Sequence, residues 1–482
     1  MSSRNNDSRH GSPLSAVVLA LCILCMLSLL PWGELTENRF KDFNLFSEIL
    51  REGPVQQAAE LLIDPALAEA LANGDDDNEA VVEESVPKAV NDSVMDAPGD
   101  SVTAPAVEVA PRVSDKPYHN PRIEGRMIIE DYGDGSAVAR MRSAAASGTL
   151  RCAMIGDSYI EGDIFAGSIR EKLRERFGGA GVGYVPMTSA VSGFRRTVRL
   201  NSSGFTACDI RRDRRDSLHT LSGEYFKAAP GAKASFKGEK GGTYTGSWTR
   251  SRLMFLAPSN GTISTSIDGV EWTEHPVTAS SDIQCVQVDA PTSRFDVRCD
   301  VPGLVVFGAW LDTPGGLGFD CMSLRGYSGI SHRSLSIPAA RALARWNDYD
   351  VIVVEYGMNA LSASQSDYTA YSNIMNRVLL RIKACYPSSA IIMLGVGDRG
   401  QKSGGDVTSL ATTSAMVDAQ RRAAHQAGVM FWDTREAMGG ANSIVDWRNR
   451  GLVNADYIHL NYKGGVEMAG KFVESLNRLL DE

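Results

Sequence analysis

The chain of 482 residues lacks the residue spacings that bind metals and has no excess of positive charge. Its seven histidines and eight cysteines show no zinc-ligand spacing, and no CxxC pair lies outside an apolar N-terminal run. A net charge of −9 argues against nucleic acid as a partner, because phosphate binding requires clustered Lys and Arg. Basic stretches such as residues 211–215 contain acids and are interpreted as solvated surface loops.

Disulfide bonding is only weakly indicated. Six cysteines lie outside the apolar run: Cys152, Cys208, Cys285, Cys299, Cys321 and Cys385. Two interpretations stay open from the residues alone. Cys285 and Cys299 pair across neighbouring strands of a β-rich segment, or the cysteines are buried free thiols.

A long uncharged apolar run occurs at the N-terminus, over residues 14–30. Its length lies at the short end for a membrane-spanning helix and at the long end for a signal-peptide core. The residues that follow offer no small-x-small cleavage site, and Trp32 suits a membrane interface. We therefore expect residues 1–33 to form a cytoplasmic tip and an inner-membrane signal anchor, with the rest periplasmic. A cleaved signal peptide is the alternative.

The next segment, residues 34–117, is expected to be a linker. Its first part has short amphipathic helical patterns, and residues 73–117 are acidic and rich in Ala, Val and Pro. Such a composition cannot bury a core, so this part is predicted to be a disordered tether. At 482 residues the chain is long enough for two or three domains, which then follow the linker.

A strand, a tight turn and a helix place one serine at a sheet edge. The apolar run 150–155 ends at Gly156, and helical spacing resumes over 163–177, so Ser158 stands between a strand and a helix. In open α/β folds, active sites form at the carboxyl edge of the sheet. Backbone N–H groups at the start of the helix can also stabilise an oxyanion near the serine oxygen.

Further strands and helices alternate after residue 330. The apolar, β-branched character of three runs is typical of buried parallel strands, and this alternation predicts a doubly wound parallel sheet. The predicted strands are 350–355, 390–395 and 428–433, and the predicted helices are 334–347, 366–384 and 408–427.

Near the C-terminus stand an Asp and a His three positions apart, Asp456 and His459, followed by a predicted helix over 463–480. A serine hydroxyl becomes a nucleophile when a base takes its proton, and a neutral histidine can be that base near pH 7. A carboxylate fixes the tautomer of the imidazole. With Ser158, these residues are the parts of a hydrolytic triad.

Four segments together resemble the blocks of the SGNH (GDSL-type) hydrolases, in the same order. They are residues 156–158, a glycine within 324–329, Gly357-x-Asn359 and Asp456-x-x-His459. The resemblance covers roughly residues 148–190 and 315–480. It implies a flavodoxin-like doubly wound parallel sheet.

The same resemblance implies a role for each matching residue. Ser158 would be the nucleophile, His459 the general base and Asp456 the group that orients the imidazole. The oxyanion hole would consist of the N–H of Ser158, the N–H of Gly326 and the side-chain amide of Asn359. Gly326 is chosen over Gly329 within the second block. The third block departs from many members, since Ala follows the Asn where they carry an acidic residue.

The segment between the first two blocks has a different character. Residues 195–312, called the inserted module below, contain several short alternating strands and an Asp268-Gly269 hairpin signal, which predict a β-sandwich. The hydrolase domain then comprises residues 118–194 and 313–482. This arrangement resembles the peptidoglycan O-acetylesterases, in which a carbohydrate-binding-like β module interrupts the hydrolase domain.

Three aromatic residues of the inserted module are candidates for stacking on sugar rings. They are Tyr244, Trp248 and Trp272. The favoured interpretation for each is that it fills the core of the module.

The resemblance implies a serine esterase that removes acetyl groups from a cell-envelope glycan, with peptidoglycan as the expected substrate. Neither a metal nor an organic cofactor is expected. Alternatives stay open: an SGNH lipase or thioesterase, a glycan O-acetyltransferase that uses the same triad, and a non-catalytic envelope-glycan-binding protein.

Overall fold

The computed structural model describes the following residues: 121–189, 193, 195–212, 218–403 and 405–482. The predicted anchor (1–33) and linker (34–117) therefore lie outside the described residues. Within the described part of the chain, no helix is both long enough and apolar enough to cross a membrane.

The described residues form nineteen strands and nine α-helices. The strands are β1 (Arg122–Ile123), β2 (Arg126–Met127), β3 (Glu130–Asp131), β4 (Thr149–Gly156), β5 (Gly181–Val185), β6 (Val198–Asp209), β7 (Glu224–Gly238), β8 (Trp248–Leu256), β9 (Gly261–Ser266), β10 (Thr273–Val277), β11 (Gln284–Thr292), β12 (Arg294–Asp300), β13 (Val305–Asp312), β14 (Gly316–Ser323), β15 (Val351–Glu355), β16 (Ala390–Leu394), β17 (Gly400–Ser403), β18 (Asp406–Ser409) and β19 (Met430–Trp432). The helices are α1 (Ser136–Ala146), α2 (Ser158–Glu161), α3 (Phe165–Phe177), α4 (Ile337–Ala344), α5 (Thr369–Cys385), α6 (Thr413–Ala427), α7 (Thr434–Met438), α8 (Ser443–Asn449) and α9 (Tyr462–Asp481).

The central sheet has the order β14-β4-β15-β16-β19-β3. Its first five strands are parallel, and β3 pairs antiparallel with β19 at one edge. Numbered along the chain, the parallel strands stand in the order 2-1-3-4-5, which is that of flavodoxin-like folds. The predicted parallel sheet is confirmed. Its topological switch point lies between β4 and β15.

Successive residues of β4 point into two different cores, because side chains alternate along a strand. Ala153 and Ile155 belong to one apolar cluster, together with residues of α5 and α6. Cys152 and Met154 belong to another, together with residues of α1, α3 and α9. Helices therefore cover both faces of the sheet, so β4 must be apolar on both sides. The continuous apolar run 150–155 that results is what made this strand recognisable in the sequence.

The inserted module forms an antiparallel sheet of nine strands, which includes β5 from before residue 195. The sheet path is β10-β9-β12-β7-β13-β8-β11, with β6 on β7 and β5 on β13. The fifteen-residue strand β7 pairs with β12 in its second half and with β13 in its first. The predicted sandwich is thus modified. The strands that pair with the two halves of β7 contribute to one apolar core, as in a sandwich. Because β7 pairs with both groups of strands, they form a single sheet.

A buried carboxylate joins this sheet to the central sheet. Asp320, on β14, accepts hydrogen bonds from the backbone N–H of Tyr184, the indole of Trp310, the amide of Asn347 and the hydroxyl of Tyr349, at 2.7–3.0 Å. Two of these donors come from module strands and two from the hydrolase side. Four donors compensate the cost of burying the charge, so the two sheets are fixed to each other at this point.

The six described cysteines are free thiols. Cys285 lies on β11, which pairs with β8, and Cys299 lies on β12, which pairs with β7 and β9. The two cysteines are therefore not on neighbouring strands, so the disulfide interpretation is wrong. The alternative of buried free thiols is confirmed for five of the six, while Cys285 is a free thiol that is only half-buried. Burial raises the pKa of Cys299 to about 12, which keeps this thiol protonated and unreactive.

The three aromatic candidates of the module have different outcomes. Trp248 is buried in the core, where its indole donates to the hydroxyl of Ser251 at 2.7 Å, as predicted. Tyr244 is half-buried. The core interpretation is wrong for Trp272, which is 38% exposed and lies under the guanidinium of Arg298 at 4.9 Å.

Candidate active site

Ser158 begins the short helix α2, directly beyond the carboxyl end of β4. The side chain of Asp157 caps this helix by accepting the N–H of Tyr159 at 2.9 Å. Gly156 precedes the cap, and a Cβ there would lie 2.6 Å from the backbone oxygen of Glu355. The nucleophile turn is therefore pressed against the end of β15, at the switch point of the sheet.

The structure brings the predicted triad together. The hydroxyl oxygen of Ser158 lies 3.0 Å from Nε2 of His459, although 301 positions separate them. Nδ1 of the same ring lies 2.7 Å from Oδ2 of Asp456. Nucleophile, base and orienting carboxylate are thus linked within hydrogen-bond distance, which is the geometry that nucleophilic catalysis by serine requires.

The carboxylate of Asp456 is fixed in its loop. Its Oδ1 accepts the backbone N–H groups of Ile458 and His459, at 3.0 and 3.1 Å. Burial would raise the pKa of Asp456, but hydrogen bonds and the charge interaction with His459 outweigh it and leave the pKa below its usual value. Asp456 therefore remains ionised and able to stabilise a protonated imidazole.

The loop that carries His459 is held at both ends. An isolated antiparallel bridge joins Val453 to Leu460, and the N–H of Asn454 donates to the oxygen of His459 at 2.9 Å. The next helix, α9, is capped by Asn461, whose side chain accepts the N–H of Gly464. A local turn plus a capped helix explains why an Asp-x-x-His spacing can orient the imidazole without distant residues.

Asn359 lies in a short turn after β15, next to the nucleophile turn. Its Nδ2 donates to Oδ2 of Asp157 at 2.7 Å and to the backbone oxygen of Tyr327 at 3.1 Å. Both N–H groups therefore have acceptors, and an oxyanion would compete with the Tyr327 carbonyl for one of them. Its role as an oxyanion donor stays a prediction, and its contact with Asp157 was not foreseen.

The two glycines of the second block have different surroundings. Gly326 is half-buried with φ +70°, and a Cβ there would meet nothing within 4 Å. Gly329 is buried with φ +88°, and a Cβ there would lie 2.5 Å from the ring of Tyr356. The structure therefore leaves space for a side chain at Gly326 and packs Gly329 against Tyr356, while the choice of Gly326 as the oxyanion donor stays a prediction.

The inserted module contacts the loop of Gly326 directly. Arg211 of the module donates to the backbone oxygen of Arg325 at 2.8 Å. The side chain of Arg325 in turn forms an ion pair with Glu161 of α2. Arg211 was interpreted as part of a solvated loop, but this contact gives it a partner in the hydrolase domain. Residues 213–217 of that stretch lie outside the described residues.

A second carboxyl group lies beside Asp157, and no sequence pattern had singled it out. Glu355 ends β15 opposite Gly156, is 5% exposed, and shares a hydrogen bond with the carboxyl group of Asp157. Burial, followed by the charge of Asp157, raises the pKa of Glu355 well above its usual value. Two adjoining buried carboxyl groups cannot both be charged, so we assign the proton to Glu355 and the negative charge to Asp157.

Among the described residues, no three or more His, Cys, Asp or Glu side chains are grouped so that they could hold one metal ion. The chemistry available from the described groups is that of a serine nucleophile with a histidine base.

Comparison with known proteins supports the fold. No protein-family model matches the chain, and no curated protein matches its sequence. The structure is similar to that of a peptidoglycan O-acetylesterase, with 23% identity, 73% of this chain and 99% of that chain covered, and a TM-score of 0.60. A family two carbohydrate esterase from Cellvibrio japonicus gives a TM-score of only 0.26 at 11% identity, covering 59% of this chain and 98% of that one. The described residues therefore have the fold seen in that O-acetylesterase structure, which agrees with the fold that the four SGNH-like blocks imply.

Proposed function

We propose that this protein is a serine esterase that removes acetyl groups from a cell-envelope glycan, with peptidoglycan as its substrate. The observation that carries the proposal is the hydrogen-bonded series Ser158–His459–Asp456, placed at the switch point of the sheet. Support for the substrate comes from the likeness in fold to a peptidoglycan O-acetylesterase.

The proposed reaction uses the three triad residues and the predicted oxyanion donors. Ser158 attacks the carbonyl carbon of the acetyl ester as its proton passes to Nε2 of His459, 3.0 Å away. Asp456 stabilises the imidazolium through Nδ1–H. The N–H groups of Ser158 and Gly326 and the amide of Asn359 hold the oxyanion.

The tetrahedral intermediate formed by this attack breaks down to an acetyl-enzyme, which water then hydrolyses. His459 gives its proton to the leaving sugar oxygen, which releases the alcohol and leaves an acetyl group on Ser158. Water then attacks this ester as its proton passes to His459, and acetate departs when the serine regains its hydrogen. An acceptor sugar in place of water would give acetyl transfer, so analysis of the products decides between hydrolysis and transfer.

The choice of a carbohydrate over a long acyl chain rests on the likeness in fold, and the chain-length test below decides it. A polar cleft lies between α3, α9 and the inserted module, and Glu171, Lys172, Glu175 and Lys240 are among the residues that line it.

For the location, we propose an inner-membrane anchor with the hydrolase in the periplasm. The support is the uncharged run 14–30 and the positive charges that precede it. Membrane fractionation, with protease treatment of spheroplasts, tests this proposal. Release of the full-length protein from membranes by carbonate, or protection of its hydrolase domain from the protease in spheroplasts, would contradict it.

The test of the activity uses the purified full-length chain and its Ser158→Ala variant as a matched control. Acetate release is measured from p-nitrophenyl acetate and from O-acetylated peptidoglycan, and p-nitrophenyl octanoate tests chain length. We expect activity on both acetates, a strong preference over octanoate, and loss of activity in the variant. No hydrolysis of either acetate, or full activity without Ser158, would overturn the proposal.

A further inference from the structure

A groove lies between the hydrolase domain and the inserted module. One part of about 380 Å³ is bounded by α3, by the first turns of α9 and by module residues 240–243. A second part of about 520 Å³ shares Lys240, Gly242 and Thr243 with the first and is also lined by Ala180, Tyr244, Gly246 and Ser247. The two parts together are called the α3–α9 groove below.

The groove begins close to the catalytic histidine. Tyr462 lines it and follows His459 by three residues, so their Cα atoms are at most about 11 Å apart. The first turn of α9 also packs on the segment between α2 and α3, since a Cβ on Gly465 would lie 2.5 Å from Ile164. One end of the groove is therefore about one or two sugar residues from the proposed site of ester attack.

Two exposed apolar side chains lie in the floor of the groove. Tyr462 is 47% exposed and Val466 is 36% exposed, and they stand one helical turn apart on the same face of α9. An apolar strip inside a polar groove suits a sugar ring, whose C–H face is apolar and whose hydroxyl groups are polar. The guanidinium of Arg196 lies 4.1 Å from the centre of the Tyr462 ring, which fixes the ring and covers one face.

The walls of the groove offer partners for hydroxyl groups. Oε2 of Glu171, on α3, accepts the N–H of Thr243 at 2.6 Å, which ties the module loop to the hydrolase domain. Oε1 of Glu171 is buried and accepts no hydrogen bond from the described residues. This oxygen lies against Gly242, where a Cβ would be 2.8 Å away, so it is closed to a ligand. The groups that can donate to sugar oxygens are the ammonium groups of Lys172 and Lys240.

From these contacts we propose that the α3–α9 groove is a glycan subsite, which holds a sugar of the strand next to the acetylated one by stacking on Tyr462. The proposal rests on the proposed function and specifies its substrate as a polymer. It also gives the inserted module a role in binding, because module residues 240–243 line the groove and Arg196 of the module contacts the ring of Tyr462.

The test compares kcat/KM for O-acetylated peptidoglycan with kcat/KM for p-nitrophenyl acetate, in the wild-type protein and in Tyr462→Ala. We expect the ratio of the two constants to fall about tenfold in the variant, the size expected for one lost stacking contact. Tyr462→Phe keeps the ring and should restore the ratio to within about twofold of the wild-type value.

The matched control is Trp346→Ala, which removes an aromatic ring that is 43% exposed, follows α4 and lines neither part of the groove. Its ratio should equal that of the wild type. An unchanged ratio in Tyr462→Ala, an equal loss on both substrates, or a fall in the Trp346 variant alone would overturn the subsite. A wild-type protein that is inactive on both substrates would instead overturn the proposed function.

Discussion

The side-chain amide of Asn359 donates a hydrogen bond of 2.7 Å to the carboxylate of Asp157, across the boundary between β4 and β15. This bond joins the first and third of the four SGNH-like blocks. It also sets the direction of the amide that is predicted to hold the oxyanion. We therefore expect the aspartate beside Ser158 to act on the reaction through Asn359, as a positioning residue.

Asp157→Asn tests that relationship. Asparagine is as good a helix cap as aspartate, so the N–H of Tyr159 keeps its acceptor, while the charge that orients Asn359 is lost. We expect kcat for p-nitrophenyl acetate to fall by roughly 10- to 100-fold with little change in KM, less than for removal of a whole oxyanion donor. An unchanged kcat would show that the bond is dispensable.

Asp456→Asn tests whether the carboxylate orients the imidazole of His459, because this variant keeps the histidine and changes only its partner. The amide can still approach Nδ1 of His459, but it favours the wrong tautomer, so we expect kcat to fall by about 10³- to 10⁴-fold. Because the triad acts as a unit, the double variant Ser158→Ala/His459→Ala should be no slower than Ser158→Ala alone. Independent, multiplying losses would contradict a shared mechanism.

Glu355 should make stability depend on pH. Its pKa in the folded state is raised above the ordinary value of 4.5. The contribution of the protonated Glu355 to the free energy of unfolding is therefore present in full below about pH 4.5. This stability is lost as the pH rises towards the folded-state pKa, since the unfolded chain releases the proton earlier. Glu355→Gln cannot ionise and keeps an N–H donor for Asp157. Relative to the wild type, its free energy of unfolding should therefore be higher at about pH 8 than at about pH 5.

Urea unfolding at the two pH values measures this difference. Glu355→Leu is the control, because it also cannot ionise but offers no donor to Asp157. It should show the same change in pH dependence with a lower kcat than Glu355→Gln. Parallel stability profiles for the wild type and both variants would contradict the assignment of the proton to Glu355.

The two glycines of the second block should respond differently to alanine. Gly329→Ala places a methyl group 2.5 Å from the ring of Tyr356 at φ +88°, so the free energy of unfolding should fall by more than about 2 kcal/mol. Gly326→Ala meets open space and pays only for its positive φ, about 1 kcal/mol. Denaturant titration compares them, and equal losses would contradict the packing described for Gly329.

Most elements of the hydrolase domain could be predicted from the sequence, because their signals are local. Buried parallel strands are continuous apolar runs, and β4, β15, β16 and β19 lie where such runs predicted them. Strand β14 was not predicted, since it contains Asp320 in a fully buried position. The donors that make this charge tolerable come from distant parts of the chain, and a local pattern cannot reveal them.

In the candidate site, too, local features could be predicted from the sequence and contacts between distant residues could not. Asp456 and His459 meet through one local turn, so their spacing is informative by itself. Their approach to Ser158 depends on the order of the strands and was expected only from the resemblance to a family. Glu355 is an acidic residue at the end of an apolar strand, and this position is visible in the sequence. Its raised pKa depends on Asp157 beside the neighbouring strand β4, and the sequence does not specify which strand is the neighbour. For the module, alternation predicted strands, while the pairing of β7 with β13 in its first half and with β12 in its second depends on the tertiary structure.

The position of β4 in the sheet has a consequence for how the protein is made. This strand ends at Gly156, and its two neighbours, β14 and β15, begin only at Gly316 and Val351. During synthesis, both edges of β4 therefore stay unpaired until the whole module has left the ribosome. An apolar strand with free edges is prone to aggregate, so the growing chain needs protection during this interval. The module can fold first, and the nucleophile reaches its final setting among the last parts of the chain.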